Sequence, residues 1–381
     1  MDRVTIRRSR PNFGSLIGLI GVCIIAGGLI SNTSQVKAQT VQPTERKLEL
    51  SSENCLECHE QADMYADLPS GEQVYLTIDP QVFAASVHGQ EDLACSDCHV
   101  DISEYPHPTL QASTRRELTV QQNVNCIACH EENQQAVEDS VHQRAADAGD
   151  IEAAVCSDCH GAHDTSPPAE PRSKIPHTCQ RCHSEIYDIY QGSVHGAALL
   201  DESNPDVPTC IDCHGVHNVE GPSNGSFHLF SPQICASCHA DESLMAQYDI
   251  STDVFDTYVA DFHGTTVILF EALAPDQQTN KPVCIDCHGV HDMVKTDDPQ
   301  SHVIPENLLA TCQRCHPDAV DTFPRSWLSH YVPSWEKTPL VYMVNLFYAI
   351  IIPLTIVGMM VLILADVKRR ISHKIYGGGD E

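Results

Sequence analysis

The chain has 381 residues, enough for one large or two ordinary domains, and carries a formal charge of −30 with 19 cysteines. A negative field of that size argues against nucleic-acid binding and against adhesion to an anionic membrane surface, and favours a basic docking partner. The charge is unevenly placed: Asp2 against Arg3, Arg7, Arg8, Arg10 and Lys37 leaves residues 1–38 at +4 and the remainder at −34.

Residues 1–38 read as a secretory signal peptide. Arg7, Arg8 and Arg10 precede an apolar run from Leu16 to Ile30, and Val36-Lys37-Ala38 offers a small-residue cleavage site before Gln39. An uncleaved N-terminal anchor is the alternative. Cys23 lacks the small residue expected just before a lipoprotein cysteine, and apolar chain continues beyond it, so it reads as inert. Residues 39–50 form a linker.

From residue 51 to 335 the cysteines organise the chain. Eighteen of the nineteen fall in nine C-x-x-C-H runs: Cys55–His59, Cys95–His99, Cys126–His130, Cys156–His160, Cys179–His183, Cys210–His214, Cys235–His239, Cys284–His288 and Cys312–His316. C-x-x-C-H is the attachment signal for c-type haem, in which two thiols add to the vinyl groups and the adjacent histidine becomes an axial iron ligand. A disulfide framework or an array of zinc ribbons has no reason to place a histidine after each second cysteine. The thioether positions expected are Cys55, Cys58, Cys95, Cys98, Cys126, Cys129, Cys156, Cys159, Cys179, Cys182, Cys210, Cys213, Cys235, Cys238, Cys284, Cys287, Cys312 and Cys315. The proximal ligands are His59, His99, His130, His160, His183, His214, His239, His288 and His316. The cofactors expected are nine covalently bound c-type haems. With roughly 33 residues per haem, the macrocycles themselves must supply the buried apolar area. The expected fold is mostly α with extensive loops and little β, a multihaem cytochrome c fold organised around packed haems.

The runs form pairs, at about 51–110, 120–165, 175–220 and 230–295, with a last run at 305–335: four two-haem repeats plus one haem. In each pair the first run leads into a helical stretch that ends on another histidine; the second run follows, then one more histidine. Cys126–His130 leads to Ser140-Val141-His142, Cys156–His160 and His163; Cys179–His183 leads to Ser193-Val194-His195-Gly196, Cys210–His214 and His217. The proposed distal ligands are thus His88, His142, His195, His263 and His330 in one series, and His107, His163, His217 and His291 in the other. His177, His228 and His302 remain; His228 or His302 could displace a member of the second series, His107 being the most replaceable because its spacing departs. Three residues, about 4.5 Å of helix, cannot wrap around a macrocycle, so His163, His217 and His291 must serve a haem other than their own run's. Twelve helical residues span about 18 Å, which points His142 and His195 to a neighbouring haem as well. Ser231-Pro232 reads as a helix start before Cys235, and Gly89, Gly196 and Gly264 as left-handed helix ends.

Val341 to Leu364 contains no charge over 24 residues, long enough to span a bilayer, and the span is placed at 340–365. Lys368, Arg369, Arg370 and Lys374 follow, so 366–381, with His373, is expected in the cytoplasm and the haem domain on the periplasmic face of the inner membrane.

Ser86–Gly89 and Ser193–Gly196, with the C-H-G-x-H arrangement ending at His163, His217 and His291, resemble the cytochrome c3-like and c554-like multihaem cytochromes. That resemblance covers about residues 50 to 330 and implies bis-histidine electron carriers or electron-transfer subunits. The tail from Trp327 through Trp335 resembles that of periplasmic cytochromes working beside a membrane cytochrome b. The function expected is conduction of electrons, in either direction, between a membrane cytochrome b-type or other quinone-reactive subunit and a soluble or extracellular redox partner. Electrons would cross at the last haem, Cys312–His316 with His330. The alternative is a multihaem oxidoreductase subunit of the nitrite, hydroxylamine or tetrathionate class, which needs an open iron position; a filament-forming subunit is a third possibility. No catalytic residue is assigned.

Overall fold

Two local designs, in alternation, carry the attachment runs, here numbered as sites 1 to 9 in chain order. The computed structural model describes residues 51–102, 105, 107–221, 225–275, 277, 279–327, 330, 332–336 and 338–376; the signal peptide, Cys23 and the linker lie outside them. The even-numbered runs all read C-x-D-C-H and form short helices: Cys95–Cys98, Cys156–His160, Cys210–His214 and Cys284–His288. In each, the aspartate reaches back to accept the N–H of the residue before the first cysteine. Asp97, Asp158, Asp212 and Asp286 hold Ala94, Val155, Thr209 and Val283 at 2.8, 2.7, 2.6 and 2.7 Å. A carboxylate there satisfies an otherwise orphaned donor and the helix dipole together. Gly161, Gly215 and Gly289 end three of these turns at φ 74°, 82° and 87°, a backbone that L side chains resist.

The odd-numbered runs instead begin in the last turn of longer helices: Ser52–His59, Arg115–Ile127, Lys174–Gln180, Gly225–His239 and Pro305–Gln313. A side chain from, or just ahead of, the odd helix braces the even turn in three pairs. Arg116 grips both oxygens of Asp158 at 3.0 and 2.9 Å, Arg172 meets Asp212 at 2.7 Å, and His228 meets Asp286 at 3.0 Å.

The stretch expected to end on a histidine instead breaks and restarts. Glu131–Val137 gives way to Val141–Asp147, Ser184–Gln191 to Val194–Leu200, and Val254–Ala260 to Phe262–Leu273; pair one uses Pro80–Ala85 and Val87–Gln90. Buried Ser86, Ser140 and Ser193 cap the second helix, each accepting the N–H three residues on at 3.0 Å. In pair four the cap is Asp261. Every first-series histidine up to His263 therefore sits in the first turn of a new helix. Gly89, Gly196 and Gly264 lie inside these helices, not at their ends. A Cβ on them would meet the carbonyl oxygens of Phe83, Tyr190 and Tyr258 at 2.0, 1.9 and 2.1 Å, so glycine is required by close approach.

Ser231-Pro232 does not start a helix either. Gly225–His239 runs through it, and Pro232, which has no N–H, would leave the His228 carbonyl unpaired. The Ser231 hydroxyl donates to that carbonyl at 2.8 Å and repairs the gap. This helix packs Leu229 against Tyr258, Val267 and Val283 in a small apolar cluster.

Strand is confined, among the described residues, to Tyr65–Asp67 and Gln73–Tyr75, antiparallel with Tyr65 opposite Tyr75. At the other end Pro339–Tyr376 is one helix with Pro353 inside it. Within its segment Pro339–His373 the most apolar stretch has mean hydropathy 2.6 and none of that stretch is buried, so the helix is long and apolar enough to cross a membrane. The expected span at 340–365 lies within it, and the helix continues into the basic stretch beyond.

Candidate haem-binding sites

The folding described above brings every motif histidine face to face with one of the nine proposed distal histidines. The ring centroids lie 6.1 Å apart for His59 with His107 and for His88 with His130, and 6.0 Å for His99 with His163. They are 6.1 Å apart for His160 with His217, 6.2 Å for His183 with His142, and 6.0 Å for His214 with His291. For His239 with His195 the separation is 6.3 Å, for His288 with His330 it is 6.2 Å, and for His316 with His263 it is 6.4 Å.

These spacings fit an iron between the rings. A metal–imidazole bond is about 2.0 Å and the ring centre lies about 1 Å behind the nitrogen, so two opposed imidazoles sit about 6 Å apart. Direct stacking would bring them much closer. Burial, helped by the facing imidazole, holds His142, His160, His163, His288 and His291 below the ordinary imidazole range. Burial takes His195 down to about 4. Neutral imidazole is the form that binds metal. In two of these rings Nδ1 meets a carbonyl, Leu76 for His59 at 2.7 Å and Glu220 for His214 at 2.9 Å, and in His263 it lies 3.9 Å from the Asp261 carboxylate. Toward a carbonyl Nδ1 must donate, which leaves Nε2 as the lone-pair nitrogen. The rings could therefore hold haem iron from both sides, and the two thiols of each run are the groups that would attach the haem.

The pairing obeys a rule that spacing alone did not state. A first-series histidine faces the first run of the next pair: His88 faces site 3, His142 site 5, His195 site 7 and His263 site 9. A second-series histidine faces the second run of the preceding pair: His163 faces site 2, His217 site 4 and His291 site 6. Both expectations of service to a foreign run match this geometry. His107 has no preceding pair and turns back to site 1, which accounts for its different spacing. The expectation that His330 serves the last run is overturned: it faces His288 of site 8, completing the second series, while His263 faces His316.

Consecutive sites are neighbours throughout. Within pairs the first cysteines touch: Cys55 with Cys95, Cys126 with Cys156, Cys179 with Cys210, and Cys235 with Cys284. Between pairs the second cysteine of one run is close to both of the next, Cys98 to Cys126 and Cys129, Cys159 to Cys179 and Cys182. Cys213 and Cys287 repeat this toward sites 7 and 9. Three of these joints are also tied by backbone. Val87, Val141 and Val194, each just before a first-series histidine, donate to the carbonyls of Thr165, Val219 and Met293, two residues after a second-series one, at 2.9, 2.8 and 2.7 Å.

The three spare histidines stand outside the nine facing pairs. His228 braces Asp286, His177 packs on Tyr187 with centroids 5.3 Å apart, and His302 lies 3.8 Å from Asp292. Sequence reasoning missed the even-run aspartates and their braces. Their signal was present: an aspartate precedes the second cysteine of all four even runs, and a basic side chain lies seven or ten residues before the odd run in three pairs.

Residues 27–143 match the family model of the outer membrane cytochrome MtrC/MtrF-like type, domains II/IV, and residues 142–187 match that of the doubled CXXCH motif. Neither is the cytochrome c3-like or c554-like group. No curated protein and no solved structure matches the chain. The matched stretches contain sites 1 to 5, and the same attachment chemistry continues through the rest: this chain is a multihaem c-type cytochrome.

Proposed function

We propose that the chain is a membrane-anchored nonahaem electron conductor in which each haem is held by the two histidines that face one another at its site. The observation that carries this is the closure of all nine motif histidines by nine partner rings at 6.0–6.4 Å. Haem, when bound, would supply the electron-accepting iron; the motif cysteines would attach it and the two facing histidines would each offer it a ring nitrogen. A catalytic haem calls for a motif histidine that faces open space, and each motif histidine here faces a ring, which favours conduction over the oxidoreductase reading.

The row of neighbouring sites runs in chain order, so its last members stand closest in sequence to the apolar helix. A quinone-reactive partner of the cytochrome b type would exchange electrons at that end, and a soluble or extracellular partner at site 1. The negative body suits a basic partner. One matched family is named for an outer membrane cytochrome; a long apolar helix followed by Lys368, Arg369, Arg370 and Lys374 supports instead a single pass through the inner membrane with the haems outside.

Intact-mass measurement of the purified chain should give nine haem increments. Its low-temperature electron paramagnetic resonance spectrum should be wholly low-spin. A high-spin ferric component in fully loaded protein would overturn the bis-histidine assignment and revive the catalytic reading.

A further inference from the structure

The joint between sites 8 and 9 is built unlike the other three. At joints 2–3, 4–5 and 6–7 the paired elements are a serine cap before the first-series histidine and the backbone bond from the intervening valine. Phe262 occupies the valine position in pair four, and among the described residues it makes no such bond to Val332. Asp261 replaces the serine. Its Oδ1 does the capping, accepting from the His263 N–H, and its Oδ2 accepts the indole N–H of Trp327 at 2.7 Å. A serine has one oxygen and can only cap; the aspartate has a second to offer.

Trp327 is half-buried between the distal histidines of the two sites. Its ring meets His263 edge-on with centroids 6.4 Å apart at 65°, and His330 at 6.1 Å and 74°. His263 faces the motif histidine of site 9 and His330 that of site 8.

We infer that Trp327 is a positioning residue, and that the Trp327–Asp261 hydrogen bond is the clasp of the last joint, taking the place of the backbone bond that closes the other three. It fixes His263 and His330 at once and so sets the ligand geometry of the two haems at the membrane end. The inference rests on the bis-histidine reading above.

The test uses the full-length, haem-loaded chain in detergent. Asp261→Asn keeps the cap and the side-chain volume but turns an amide N–H toward the indole; Trp327→Phe keeps a ring and removes the donor. Both should retain the parent's full haem mass and helix content. Both should change the low-spin g values, or produce high-spin iron, at up to two of the nine haems. Trp335→Phe, at the other and exposed tryptophan, should leave the spectrum unaltered. Asp261→Asn and Trp327→Phe spectra superimposable on the parent's would overturn the clasp, as would a change that comes only with loss of haem and helix throughout. High-spin iron already present in the parent would overturn the underlying bis-histidine reading, and the clasp with it.

Discussion

Pairs three and four are assembled from the same parts and secured differently. In both, a tyrosine hydroxyl ties the helix before the break to the approach of the even run: Tyr190 donates to the Pro208 carbonyl at 2.7 Å, Tyr258 to that of Pro282 at 2.9 Å. In both, the carbonyl of that tyrosine presses on a glycine, Gly196 or Gly264, beside the distal histidine. The brace differs, Arg172 on Asp212 against His228 on Asp286, and so does the cap, Ser193 against Asp261. The helix after the cap is seven residues in pair three, Val194–Leu200, and twelve in pair four, Phe262–Leu273. What stays constant is the approach of the tyrosine carbonyl to the glycine beside the histidine; what varies is how the even turn is braced and the joint closed. Pair two marks the limit of that constancy, since Gln143 stands at the glycine position.

The largest test removes the haems. Expressed without the attachment machinery, the chain should lose nearly all cooperative unfolding, because few of its apolar side chains are buried by one another. Pair four should retain more hydrogen-exchange protection than pair three, since only it contributes to the cluster of Leu229, Tyr258, Val267 and Val283. Equal loss in both would remove that distinction.

Next in size are Gly196→Ala and Gly264→Ala. Each forces a Cβ against a carbonyl and should cost about 1–3 kcal/mol in chemical denaturation. Each should also disturb the low-spin signal of one haem, that of site 7 or site 9. A clear inequality between the two would show that pair four does not share the close approach.

Tyr190→Phe and Tyr258→Phe should each cost about 1 kcal/mol, the worth of one hydrogen bond to a carbonyl. The carbonyl left behind is reached by solvent more readily than a core group, so a value well above this would mean that the tyrosine does more than tie two segments.

The smallest effect concerns pH. Asp286 accepts from His228 and raises its pKa above the ordinary imidazole range, against a smaller opposing effect of burial. A raised folded-state pKa means the brace contributes fully below about pH 6.5, the unfolded value, and is lost as pH climbs through the folded one. Pair four should therefore weaken as pH rises above about 6.5, by less than about 1 kcal/mol, the pair being partly exposed. Pair three, braced by arginine, should not follow. His228→Arg should abolish the difference; a denaturation midpoint whose pH dependence survives that change would locate it elsewhere.

Legibility tracked the range of the interactions. The attachment runs were readable because their chemistry is complete within five residues. All nine distal candidates were readable because a repeat put a histidine at the same place several times. Gly89, Gly196 and Gly264 were misread because the reason for them lies in a carbonyl of the preceding helix, and Ser231-Pro232 because the serine repairs the bond the proline removes inside a continuous helix.

By itself the sequence determined the haem-attachment motifs, the long apolar helix and which histidines stand at repeat-defined places, since composition and short spacing carry all three. The tertiary structure alone decided which histidine faces which. His330 lies fourteen residues from His316 yet faces His288, and Trp327 reaches Asp261 across sixty-six residues. Such pairings depend on how helices of different repeats pack, and nothing within a single repeat encodes them.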